Sequence, residues 1–141
     1  MHSRRLFEPG RVALRPHHLT CLFFYVGKGY SETFVARMDE VSRQVRQSDC
    51  RVVLTGGRDA ICEVCPHWRL DLDRCAFAGR VARFDERTLA EYGLRLGREY
   101  VARELMDAMF ERFDVARFER ICGDCDWRVQ GVCDPSALPG L

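Results

Sequence analysis

The stretch "DAICEVCPHWR", residues 59–69, holds two cysteines two residues apart, preceded by isoleucine and followed by a Trp-Arg pair. A near copy, "ERICGDCDWR", occupies residues 119–128. A third cysteine follows each copy, so the modules read Cys62-x2-Cys65-x9-Cys75 and Cys122-x2-Cys125-x7-Cys133. The two-residue gap lets both sulfurs converge on one metal ion or cluster, with backbone N–H groups pointing at them. The duplication therefore predicts a domain organised around a cysteine-bound centre.

The number of module cysteines leaves the number of centres open. One four-ligand site would use four of the six, whereas two sites would need two further donors. The stretch "RPHHLTC", residues 15–21, groups three donors within five residues. The candidates for additional ligands are Cys21, His17, His18 and His67. Cys50 belongs to neither module, and we expect it to be a packed free thiol.

The donor set favours an iron–sulfur cluster over zinc. Tetrahedral zinc accepts cysteine or mixed cysteine and histidine ligands, whereas iron–sulfur clusters prefer all-cysteine ligation. Cysteine exceeds the other donors here, which favours a cluster of the [4Fe–4S] type and leaves zinc as the alternative. The cofactor-binding residues predicted on this basis are Cys62, Cys65, Cys75, Cys122, Cys125 and Cys133, and the wider set of metal ligands adds Cys21, His17 and His18.

Hydrophobic periodicity predicts a mainly α protein with a small β element, in the α+β class. The apolar positions of "SETFVARMDEVSRQVRQ", residues 31–47, recur at three- and four-residue steps, which predicts a helix with Ser31 as a plausible N-cap. "RVVLT", residues 51–55, reads as a strand whose partner we place near residues 78–84. The other predicted helical segments are residues 16–26, 85–92 (ended by Gly93), 98–113 and the turn 114–120.

A chain of 141 residues is expected to form one compact domain around the centre. We divide it into an irregular lead-in (residues 1–12), the metal- or cluster-binding domain (residues 13–134) and a tail (residues 135–141). The longest apolar run, Leu19–Val26, is too short to cross a membrane. A cytoplasmic location is the default, and in a reducing cytosol grouped cysteines bind metal more often than they form disulfides.

Composition limits the classes of partner. The formal net charge is +1, so no strong field for nucleic acid or an anionic membrane is implied. Lys28 is the only lysine, however, so nearly all basic residues are arginine, which binds phosphate well. Nucleic acid is therefore a disfavoured partner but is not excluded. The expected partner is a redox or other protein, and no membrane contact is predicted.

Motifs spread along most of the chain resemble a family of bacterial and archaeal proteins, domain of unknown function family 1284, described as putative iron–sulfur binding proteins. The matching motifs extend from about residue 13 to residue 133. They are "LRPHHLTCL" (14–22), "GKGYS" (27–31), "FVARMDEV" (34–41), "DAICEVCP" (59–66) with Cys75, and "ICGDCDW" (121–127) with Cys133. The resemblance nominates Cys21 and the six module cysteines as family cysteines, with His17 and His18 beside them. It implies no reaction.

Three kinds of function are compatible with these patterns. The first is a cluster-binding protein for electron transfer, redox sensing or cluster-assisted chemistry. The second is a zinc-stabilised module that binds a partner. The third is an enzyme in which a histidine one helical turn from Cys21 activates that thiol, or in which a metal with an open position activates substrate.

Overall fold

The computed structural model describes residues 5–25, 27, 30–47 and 49–125. Within these ranges the chain forms five α-helices, six short strands and one 3-10 turn, so the predicted α+β class and single domain are confirmed. The helices are α1 Pro16–Phe24, α2 Glu32–Gln44, α3 Ala78–Tyr92, α4 Ala102–Glu111 and α5 Val115–Cys122. The strands are β1 Phe7–Glu8, β2 Arg11–Leu14, β3 Arg51–Leu54, β4 Trp68–Arg69, β5 Arg74–Cys75 and β6 Glu99–Val101, and the 3-10 turn is Cys62–Val64.

A four-stranded sheet in the order β1-β2-β3-β6 forms one wall of the core. Strands β2 and β3 are parallel, and the chain between them contains α1 and α2, as a parallel crossover requires. The pairs Val12–Val52 and Leu14–Leu54 lie side by side in this ladder and are almost completely buried. Strands β1 and β6 pair antiparallel at the two edges. A separate hairpin, β4–β5, carries Cys75.

The structure corrects the expectation that residues 1–12 are irregular. Residues 7–8 and 11–12 belong to β1 and β2, and β2 is an interior strand of the sheet. Val12, Ala13 and Leu14 are all buried, so β2 lacks the alternation of polar and apolar residues that marks a half-exposed strand. That is why the sequence pattern did not reveal it.

The predicted strand partner near residues 78–84 is wrong. Those residues form the first half of α3, and the partners of β3 are β2 and β6 instead. Helix α3 ends at Gly93, as expected, where the backbone φ is +66° and glycine is favoured. The helix expected over 98–113 is shorter, because β6 takes residues 99–101 and α4 begins at Ala102.

The remaining helices follow the sequence pattern closely. Helix α1 starts at Pro16, whose missing N–H is no loss in the first turn. The predicted core stripe of α2 is confirmed, because Phe34, Met38 and Val41 are buried, together with Val45 at its end. Among the described residues, none of the helices has both the length and the apolar composition needed to cross a membrane.

The Ser31→Ala change is expected to lower the free energy of unfolding by about 1 kcal/mol, because it removes an N-cap. The Ser31 hydroxyl accepts a hydrogen bond from the Phe34 N–H at 3.1 Å, which satisfies one of the unpaired donors of the first turn. Urea unfolding followed by circular dichroism measures the change. Thr33→Ala in the same exposed turn is the control, and an equal loss in both variants would contradict the capping role.

Candidate metal centre

Thiols and imidazoles from four separated segments open on one cavity of about 420 Å³. Helix α1, the 59–67 segment, the β4–β5 hairpin and the turn after α5 each contribute to its wall. The cysteine and histidine side chains that line it are Cys21, Cys62, Cys65, Cys75, Cys125, His17, His18 and His67. The structure therefore brings the first cysteine module, Cys125 of the second module and the α1 donors to a common space.

The duplicated phrase folds into a duplicated local structure. Ile61 and Ile121 are both buried in the core, and each anchors the cysteine that follows it. In the first module the N–H of Cys65 donates to the carbonyl of Cys62 at 3.2 Å, and in the second the N–H of Cys125 donates to the carbonyl of Cys122 at 2.9 Å. In both, the first cysteine is buried and the second is half-buried.

Asp59 holds the first module and His18 together. Its Oδ1 accepts hydrogen bonds from the N–H groups of Ile61 and Cys62, at 3.0 and 2.8 Å. Its Oδ2 contacts the Arg15 N–H at 2.7 Å and the His18 Nδ1 at 2.6 Å. These four contacts match the acceptor capacity of a carboxylate. Asp59 is fully buried, and both of its carboxylate oxygens are engaged in positioning His18 and the first cysteine turn.

Asp85 of α3 plays the corresponding part for His17. Its Oδ1 lies 2.6 Å from the His17 Nδ1, and its Oδ2 accepts from the Arg15 guanidinium at 2.8 Å. Arg15 also donates to the carbonyl of Gly57 at 3.3 Å. Arg15, whose backbone N–H reaches Asp59, thus connects both carboxylates. The adjacent histidine rings lie with their centroids 4.3 Å apart.

Burial controls the charge states at this site. It lowers the pKa of His17 to about 4, with a further contribution from the neighbouring His18. Burial and then the Asp59 charge raise the pKa of the Cys62 thiol far above its ordinary value, and burial also raises that of Cys65. Burial alone would raise the pKa of Asp59. The contacts with His18 and with backbone N–H groups nevertheless keep that pKa well below its usual range. An ionised carboxylate and a neutral His17 therefore coexist at pH 7.

Arginines of α3 hold the second module in place. The Arg80 guanidinium donates to the carbonyl of Asp124, and Arg87 forms an ion pair with the Asp124 carboxylate at 3.1 Å. Arg87 also reaches the carbonyl of Ile121 at 3.4 Å. Arg15 and Arg80 line the cavity, where positive charge can offset that of thiolates.

Not every residue predicted at the site lines the cavity. Cys122 is buried in the hydrophobic core, and its assignment as a ligand stays a prediction. Cys133 and Trp127 lie outside the described residues. Cys50 is a completely buried free thiol, as expected.

The sequence interpretation did not single out Asp59, Asp85, Arg15 or Arg80. Asp59 had a local signal, because an aspartate three residues before Cys62 is spaced to bind the backbone N–H groups of the turn. Asp85 had none. It reaches His17 across 68 residues of sequence, so only the packing of α3 against α1 brings the two together.

One ligand atom from each of His18, Asp59 and Cys62 lies within 4.8 Å of the others, which defines a possible metal-binding group among the described residues. The fold and this site define an α+β protein with a thiol- and histidine-lined cavity. A family model described as "Protein of unknown function (DUF1284)" matches residues 29–131. The match covers more than half of the chain, so the protein belongs to this family; His17, His18 and Cys21 precede the matched region. Neither the curated proteins nor the solved structures include a match.

Proposed function

We propose that the protein binds an iron–sulfur cluster, of the [4Fe–4S] type, through thiolates drawn from both modules. The observation that carries the proposal is that Cys62, Cys65, Cys75 and Cys125 line the same cavity. Four thiolates are the complement that one such cluster requires. A single shared centre would use these four of the six module cysteines and leave Cys122 and Cys133 outside the ligand set.

The surroundings suit an anionic centre. Thiolate ligands accumulate negative charge, which hydrogen bonds and nearby cations must offset. Arg15 and Arg80 line the cavity, and apolar side chains that include Phe34 and Phe84 limit the access of water. The elevated pKa of Cys62 means that metal binding must displace its proton, as it does for coordinating thiols in general.

Electron transfer or redox sensing is the role we propose for the cluster. When bound, the cluster supplies one-electron chemistry. Cys65, Cys75 and Cys125 are only half-buried, which would leave one side of the cluster close to the surface. A redox protein is the partner that this arrangement suits, and a reducing cytoplasm is the compartment in which its thiols would stay available.

Anaerobic purification followed by iron and acid-labile sulfide analysis tests the proposal. We expect a brown protein with broad visible absorbance, and we expect Cys65→Ser and Cys125→Ser to abolish most of the iron, sulfide and colour. Cys50→Ser is the matched control, because Cys50 is a buried thiol that does not line the cavity. A colourless wild-type protein that contains stoichiometric zinc would refute the cluster.

Zinc in the module thiols is the second candidate, and the histidines beside the cysteines favour it, since mixed nitrogen and sulfur ligation is common for zinc. The protein would then be a structural module that binds a partner. This alternative predicts that a chelator unfolds the colourless protein and that dithionite leaves its spectrum unchanged.

A further inference from the structure

Much of the cavity wall is aromatic, and the proposed cluster does not need this part of it. The ring of His67 packs edge-on between those of Tyr30 and Phe77, at centroid distances of 4.7 and 5.2 Å. Tyr30 also packs against Phe34 at 5.0 Å. Together with Phe84, all of these rings line the cavity, whose volume of about 420 Å³ lies in the range of small-molecule sites. A planar aromatic ligand would find ring partners on this aromatic wall.

His17 offers a hydrogen-bond acceptor to the same cavity. Its Nδ1 lies 2.6 Å from Asp85 Oδ1, and because a carboxylate only accepts hydrogen bonds, the ring proton belongs to Nδ1. The charge of Asp85 is already balanced by the Arg15 guanidinium at 2.8 Å, so the buried group does not require a cationic imidazole. Nε2 of the neutral ring is then an acceptor. His17 lines the cavity and is 7% exposed, so a ligand with a donor group can satisfy this nitrogen.

The charges of the lining disfavour a cationic ligand. Among the described residues that line the cavity there is no aspartate or glutamate, whereas Arg15 and Arg80 both contribute to it. A ligand cation would therefore find no carboxylate with which to pair. A neutral, weakly acidic hydroxyl suits the site better, because it can donate to the Nε2 of His17 and brings no positive charge.

We infer that the cavity binds a small aromatic molecule with a phenolic hydroxyl, which donates to Nε2 of His17 while the ring packs against the aromatic wall. The Phe84 ring joins these two features, because it lines the cavity and its centroid lies 5.7 Å from that of His17. No module thiol takes part, so the inference does not depend on the proposed cluster. A bound phenolic molecule would share its cavity with the thiols of the first module.

Equilibrium dialysis of the full-length, anaerobically purified chain against β-naphthol tests the site. The methyl ether of β-naphthol is the matched ligand, because it has the same rings but cannot donate a hydrogen bond. We expect saturable binding of one β-naphthol per chain, about 5-fold tighter than binding of the ether. His17→Phe keeps an aromatic ring but removes the acceptor, so the two ligands should bind that variant with nearly equal affinity.

A second variant tests the aromatic wall at an exposed position, where folding is not at risk. Phe77→Ala should weaken the binding of both ligands by about 3- to 10-fold, because it removes a ring from the wall. Phe110→Ala is the matched control, since Phe110 is an exposed ring on α4 that does not line the cavity. Cys65→Ser should lose the cluster iron but retain β-naphthol, which separates this site from the cluster.

Three results would each overturn the inference. The first is that the wild-type chain binds β-naphthol no more tightly than the ether, or does not bind it saturably. The second is that Phe77→Ala leaves both affinities unchanged. The third is that the preference for β-naphthol persists in a His17→Phe chain that circular dichroism shows to be folded.

Discussion

Arg15→Leu is expected to lower the free energy of unfolding by about 3 to 5 kcal/mol, because it strands a buried charge. Arg15 is 6% exposed and its guanidinium binds the Asp85 carboxylate at 2.8 Å, while Asp85 itself is 4% exposed. Leucine fills part of the space but offers no donor to Asp85 or to the carbonyl of Gly57. Urea unfolding of the wild type and the variant, with metal-free protein in both cases, measures the difference.

A double-mutant cycle identifies the source of that loss. Asp85→Asn removes the other charge, so Arg15→Leu should cost less in the Asp85→Asn chain than in the wild type. Arg103→Leu is the control, because Arg103 is exposed on α4 and its replacement should change the free energy of unfolding by less than about 0.5 kcal/mol. Additive effects of the two changes would show that the pair contributes no coupling, contrary to the geometry.

Phe118→Ala is expected to have a similarly large effect and to lower the free energy of unfolding by about 3 to 5 kcal/mol. Phe118 is completely buried in α5, and its ring centroid lies 4.9 Å from that of Phe24 on α1 and 5.9 Å from that of Phe113. The deletion leaves a cavity that the surrounding aromatic rings fill only partly. Thermal and urea unfolding of the metal-free chain measure the loss.

The position of Phe118 adds a consequence for the site. It packs α5, which leads into the second cysteine module, against α1, which carries the histidine pair. We therefore expect Phe118→Ala to reduce the content of the proposed cluster as well as the stability of the fold. Phe110→Ala is the control, since Phe110 is 38% exposed on α4 and should cost far less. Equal losses of stability in the two variants would contradict the assignment of Phe118 as a core contact.

The histidine pair and the thiols of the first module share one cavity and one buried polar network. The Arg15 side chain binds Asp85, which contacts His17. The Arg15 backbone N–H binds Asp59, which contacts His18 and the first cysteine turn. Arg15 therefore stabilises the fold and orders the site at once.

Local sequence patterns were sufficient to predict those features that form between residues close together in the chain. Pro16 and Ser31 mark the starts of α1 and α2, and Gly93 marks the end of α3. Each repeated cysteine phrase predicts its own turn, and the structure contains both turns. Strand β2 was missed because an interior strand buried on both faces carries no alternation. The strand partner was misplaced because pairing depends on residues distant in sequence.

The sequence by itself determined which side chains could be metal ligands and which local structures carry them. These structures are two Cys-x-x-Cys turns and a helix with two histidines and a cysteine within about one turn. Only the tertiary structure decided that these parts share a cavity, and that Asp59 and Asp85 orient the histidines across 41 and 68 residues of sequence. The physical reason is that a turn or a cap forms between neighbours along the chain. A buried carboxylate reaches an imidazole from a distant segment only when helices and strands have packed, and burial makes such a contact necessary because an unpaired charge in the core is costly.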